Sequence, residues 1–127
     1  MASFEVTRTA DTCVVTAVGD LDLTVTDRLA ALLAGELHRQ PPALVCDASA
    51  VEFCAARILT ILIDTVADAA VARVPFAVAG RRRALLRPIT ALGLDQVLPV
   101  HRSVEEAVNS LARARHSSPD ARGSSQA

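Results

Sequence analysis

Hydrophobic positions along this chain switch between two periods, and each switch marks a new element. Residues 3–9 (Ser3-Phe4-Glu5-Val6-Thr7-Arg8-Thr9) alternate with period two, Ala10-Asp11 reads as a turn, and residues 12–18 favour β structure again. This predicts an antiparallel hairpin. The period then lengthens: Leu29, Leu32, Leu33 and Leu37 share one face of a helix over 24–39. Thr24 is a suitable N-cap, and Asp27 three residues on resembles a capping box with a shorter acid. Pro41-Pro42 ends that helix.

The stretch 43–71 organises the rest. Ala43-Leu44-Val45-Cys46 is a short apolar run that stops at Asp47, which predicts a buried strand over 43–47. Ala48 to Cys54 reads as a connector. Ile58, Leu59, Leu62, Ile63, Val66 and Ala70 then recur at spacings of three and four, predicting a helix over 56–72. In sheets built this way, ligands and partners meet the loops beyond the carboxyl ends of the strands. The connector 47–57 and the helix that follows are therefore the predicted place of any site.

Pro75-Phe76-Ala77-Val78-Ala79 predicts a central strand with Pro at its first residue, closed by Gly80. A helix follows over 81–92, which Pro88 either kinks or divides, with Gly93 at C′. Val97-Leu98-Pro99-Val100 reads as a short edge strand. Ser103 and Glu106 form a capping box for a last helix whose apolar face is Val104, Ala107, Val108 and Leu111. The order β-β-α-β-α-β-α-β-α predicts one α/β domain over 1–115, with a mixed sheet and about four helices. Residues 116–127 lack apolar periodicity and read as a disordered tail.

Composition narrows the function classes. The chain is 51% apolar and carries a net charge of −1, so no electrostatic case exists for nucleic acid or an anionic membrane. With three Phe and no Trp or Tyr, the core is built from Leu, Val, Ile and Ala. No apolar run approaches the roughly 20 residues that span a bilayer, and no signal peptide is visible. Cys13, Cys46 and Cys54 make no CxxC pair and fit buried thiols in a reducing cytoplasm.

Candidate chemistry is sparse. His38, His101 and His116 lack partners at ligand spacing, so no metal site is expected, and no phosphate loop or GxSxG elbow occurs. Asp20 and Asp22 fit turn and helix-start chemistry better than a catalytic pair. Asp47 and Ser49 suit local backbone hydrogen bonds. Arg81-Arg82-Arg83 with Arg87 is the one charge cluster, and a solvated helix face is its expected role. No nucleophile, base and metal set converges, so no enzyme and no cofactor is expected.

Several segments in fixed order resemble the STAS domain, in particular the small bacterial anti-sigma factor antagonists. Gly19-Asp20-Leu21-Asp22-Leu23 with Thr24 is similar to that family's approach to the first helix. Leu44 to Phe53 is similar to its strand ending in Asp-Leu-Ser, then valine and phenylalanine. Leu92-Gly93-Leu94-Asp95, Leu98-Pro99-Val100 and Ser103 to Ala107 are similar to its C-terminal pattern. The resemblance implies the STAS fold, a cytoplasmic regulatory role, and a partner that is an anti-sigma factor and GHKL-type serine kinase or a related signalling protein. It also implies a partner surface of Asp22, Thr24, Phe53, Cys54, Ala55, Ala56, Arg57, Ile58 and Thr60.

In phosphoregulated members a motif Asp-Ser-Ser/Ala-Gly-Leu opens the second helix, and one of its serines accepts phosphate. Carried over, Ala55 stands at the Asp, Ala56 at the first Ser, Arg57 at the second Ser or Ala, Ile58 at the Gly, and Leu59 is kept. No phosphoacceptor is left in this motif, while Thr24, Ser49 and Thr60 are the hydroxyls nearest the implied face. A different class of function, a small-ligand sensor or a scaffold subunit in which Arg57 faces an anion, stays open beside the antagonist.

Overall fold

The computed structural model describes residues 2–116. Its strands are β1 (Ser3–Arg8), β2 (Cys13–Leu21), β3 (Leu44–Cys54), β4 (Phe76–Ala79) and β5 (Val100–His101). Its helices are α1 (Thr26–His38), α2 (Ala56–Ala72), α3 (Arg83–Ala91) and α4 (Val104–His116), with 3-10 turns at Leu23–Val25 and Leu94–Gln96. The strands lie in the order β1-β2-β3-β4-β5, with β1–β2 antiparallel and the remaining pairs parallel. Thr9 closes the expected hairpin: its backbone N–H donates to the Thr12 carbonyl at 2.8 Å, and its hydroxyl accepts from the Thr12 N–H at 3.1 Å.

Alternation along each strand sorts the side chains between two helical layers. Cys13 and Val15 of β2, Leu44 and Cys46 of β3 and Val78 of β4 pack with Leu29 and Leu33 of α1, Ile58 and Leu62 of α2, and Leu85 of α3. The alternate positions Val45, Ala77 and Ala79 face Ala107 and Leu111 of α4 on the other side of the sheet. β4 is buried on both faces, as a strand in the parallel part must be.

Several elements depart from the sequence expectation. The expected strand 43–47 and connector 48–54 are one strand of 11 residues, β3. β2 also runs beyond 18, to Leu21, and so gives the second half of β3 a backbone partner. Register shifts between Thr16 and Val18 and between Gly19 and Asp20 break the period-two pattern there. Gly19, at φ 94°, takes up one of them.

Helix α1 begins at Thr26, and Thr24 is not its N-cap. Asp22 instead caps the preceding 3-10 turn, accepting from the Thr24 N–H at 2.9 Å. The expected strand 97–100 reduces to Val100–His101, because Leu94–Gln96 coils and Leu98 is drawn into the core. α3 is shorter than expected, and Pro88 lies inside one continuous helix. In α2 the buried stripe runs through Ile58, Ile61, Leu62, Thr65 and Ala69, leaving the expected Ala70 exposed.

Gly93 does end α3 in the left-handed region, at φ 68° with its N–H on the Thr90 carbonyl. Ser103 Oγ accepts from the Glu106 N–H at 3.1 Å, while the Glu106 carboxylate reaches the Arg102 N–H rather than that of Ser103. α4 takes in His116, and the rest of the expected tail, 117–127, lies outside the described residues.

Candidate functional site

The carboxyl ends of β2 and β3 finish side by side and carry most of the predicted site. Leu21 pairs with Cys54, and the Ala55 N–H donates to the Leu21 carbonyl at 2.9 Å, which fixes the turn from sheet into α2. Asp22, Thr24 and Phe53 to Arg57 are thereby brought to one edge, with Thr60 on the exposed side of α2 one turn further along. Ser49 is not among them. It lies mid-strand on β3, its N–H on the Asp47 carboxylate at 3.0 Å.

The edge is apolar at its surface. Phe53 keeps 50% of its area in water and Leu23 keeps 69%. Leu23 was not singled out by the sequence, although a leucine beside two aspartates outside any helical stripe is the signal that marks it. Beneath them Cys54 and Ile58 are buried and support the surface, Cys54 also reaching the wall of the depression beside α3. Burial pushes the Cys54 thiol up to about 11, which leaves it protonated and unreactive at neutral pH. The Thr24 hydroxyl and N–H both donate to Asp22 and hold that carboxyl below its usual range.

Helix α2 starts at this edge without a side-chain cap. Ala55 has the extended backbone of an N-cap, at φ −67° and ψ 149°, and its methyl offers no acceptor. No acid stands in the first turn, and the exposed Arg57 brings positive charge to the positive end of the helix dipole. Arg57 borders the groove between α1 and α2, together with Asp27, Asp64 and Asp68. On the other flank the end of β3 and α3 enclose a depression of about 350 Å³, walled by Glu52, Phe53, Arg83, Ala84 and Arg87. Among the described residues no three His, Cys, Asp or Glu side chains converge on a metal-sized site. Among them, too, no helix is long and apolar enough to cross a membrane.

The family described as "Mlab, STAS domain" matches residues 4–100 of this sequence. The chain belongs to the STAS family. No curated protein matches this STAS domain. Among solved structures it is similar to an anti-sigma factor antagonist from Mycobacterium paratuberculosis, with 28% identity and a TM-score of 0.79 over 88% of this chain and 95% of that one. It is also similar in fold to the unphosphorylated anti-sigma factor antagonist SpoIIAA, with 12% identity and a TM-score of 0.73 over 87% and 96%. A variant of RsbS from Moorella thermoacetica gives 21% identity and a TM-score of 0.76 over 89% and 97%. The mixed sheet with an N-terminal hairpin and four helices is therefore the STAS fold, and two of these three neighbours are anti-sigma factor antagonists.

Within this STAS domain, the positions expected to correspond to the family's acceptor motif, 55–59, run from the N-cap of α2 through its first turn, at the edge described above. Ala56 and Arg57 are exposed, where the motif's hydroxyls would stand, and Ile58 is fully buried where the motif has glycine.

Proposed function

We propose that this STAS domain acts by protein–protein contact as an antagonist-type regulator in the cytoplasm. It binds an anti-sigma factor of the serine-kinase class through the edge formed by Asp22, Thr24, Phe53 and the first turn of α2. Cys54 and Ile58 hold that edge from below, and Thr60 extends it along α2. Binding at this edge is not switched by phosphate on the motif, because Ala55, Ala56, Arg57 and Ile58 have no hydroxyl to accept it. Control then lies in the amount of the regulator or in its partner.

The observation that carries this reading is the exposed Phe53 and Leu23 beside an uncapped, unphosphorylatable helix start. Exposed aromatic side chains ringed by polar groups are what buried interface centres are made from. The test mixes the protein with candidate anti-sigma kinases, with and without ATP. A stoichiometric complex that survives ATP, with no phosphate on residues 55–58, is expected. Failure to form any complex overturns the reading.

A further inference from the structure

We infer that the α3 side of this edge selects a partner segment rich in carboxylates, which goes beyond the apolar contact above but rests on the edge being a partner surface. Arg81, Arg82, Arg83 and Arg87 are all exposed; the first three stand at or just before the start of α3, and Arg87 lies one turn into it. Among the described residues none of the four makes an ion pair. Their arrangement works against the local structure. Arg82 is the N-cap and Arg83 the first residue of a helix with no acid in its first turn, so cations crowd the positive end of its dipole. Arg83 and Arg87 are also four apart, the spacing at which like charges repel along a helix. A sequence serving the fold alone would place acids here, and local rules broken without a compensating contact mark surfaces built for something else.

The chemistry of the surroundings names the occupant. Arg83 and Arg87 form the ridge between two depressions, one of about 350 Å³ against Phe53 and one of about 550 Å³ against Leu86 and Thr90. Among the described residues, Glu52 is the one carboxylate lining either depression. Guanidinium forks bind carboxylates two bonds at a time. The exposed Phe53 ring beside them offers an apolar anchor, the composition of a protein interface. The chain as a whole is not basic, so these four arginines are a local cluster and not part of a general positive charge. A protein segment with Asp or Glu interleaved with apolar side chains fits all of these features.

The test uses the full chain and a short peptide alternating Glu and Leu, titrated at low salt and followed by amide chemical shifts. Shifts are expected at residues 53 and 81–87, and affinity is expected to fall about tenfold in the double variant Arg83→Gln/Arg87→Gln and with added salt. Both arginines are exposed, so the variant keeps the fold, which the unshifted remainder of the spectrum verifies. Equal binding of the matching Gln–Leu peptide overturns the inference, as do no binding at all and shifts confined to the α1–α2 groove. Tighter binding of a single-stranded oligonucleotide or of phosphatidylglycerol vesicles at the same arginines overturns it in favour of those ligands, and self-association on sedimentation overturns it in favour of a second copy. A chain that binds the Glu–Leu peptide at α3 but not the kinase overturns the antagonist reading and leaves this one standing.

Discussion

Arg8, the last residue of β1, holds Glu36 in the final turn of α1 with two parallel hydrogen bonds, Nε to Oε1 at 3.0 Å and a terminal nitrogen to Oε2 at 2.8 Å. The Glu36 side chain is only 8% exposed, whereas that of Arg8 is 50% exposed. The Cys13 thiol donates to the same Oε1 at 3.2 Å. Removing Arg8 strands a buried carboxylate. Arg8→Ala is therefore expected to lose about 1–3 kcal/mol of stability, measured by urea unfolding at neutral pH. No loss would show that Arg39, 4.0 Å from Glu36, suffices as a partner.

The same pair sets a pH dependence. The hydrogen bonds from Arg8 depress the Glu36 carboxyl below its usual range. A depressed carboxyl contributes stability that is present above its unfolded-state value, about 4.3, and lost as pH falls through the folded-state value. Wild type is expected to lose stability on acidification below that range. Glu36→Gln starts lower at pH 7 and falls less steeply, which thermal melts across pH 3–7 check.

All three thiols are buried, and burial is the main cause pushing them up, to about 11 for Cys13, about 12 for Cys46 and about 11 for Cys54. Thiolate is the reactive form. Iodoacetamide at pH 8 is expected to leave the folded chain unmodified and to label three sites in denaturant, as read by intact mass. Rapid labelling of Cys54 in the native state would show that the edge opens.

The first turn of α2 offers a gain. Ala55→Asp places an acceptor at a residue already in N-cap geometry and an acid at the positive end of the helix. It is expected to stabilise the protein by about 0.5–2 kcal/mol, seen as a melting temperature raised by a few degrees. Ile58→Gly, which restores the family's residue, should do the reverse. It removes a side chain with no solvent exposure from the core and adds glycine within a helix. A loss of about 3–5 kcal/mol is expected from cavity and helix propensity together. A smaller loss would show that the core closes around the gap.

Gly80 leaves no room for a side chain. It sits at φ 155°, donates to the His101 carbonyl at 2.8 Å, and a Cβ there would lie 2.8 Å from Leu85 Cδ2 and 3.2 Å from the Ala48 carbonyl oxygen. Gly80→Ala is expected to destabilise by about 1–3 kcal/mol in the same unfolding measurement. Neutral behaviour would mean that Leu85 moves aside freely.

Much of this architecture was legible in the chain. Helix 56–72, the 3–9 and 12–18 hairpin and the Gly93 stop follow from apolar spacing and local backbone preference, which single residues report directly. The second half of β3 did not, because its strand character comes from β2 lying alongside, and the register shifts scramble the alternation that would have revealed it. The start of α1 was misplaced because Leu23–Val25, capped by Asp22, coils as a 3-10 turn that takes up Thr24 and delays the α-helix to Thr26. At the edge, sequence placed Phe53 and Arg57 but not Leu23, which the pairing of β2 with the end of β3 brings there, nor Arg83 and Arg87, which come near only through the packing of α3 on β3.

The continuation of β3 to Cys54 has a kinetic meaning. In the proposed docking, a partner arriving at Phe53 meets a ring mounted on the last rung but one of a paired strand, with the Leu21 carbonyl already committed to Ala55. Little backbone has to be ordered on contact, so little conformational entropy is spent in docking. Association should run close to the rate at which rigid bodies collide in the right orientation, and differences between partners should show in how long each complex lasts.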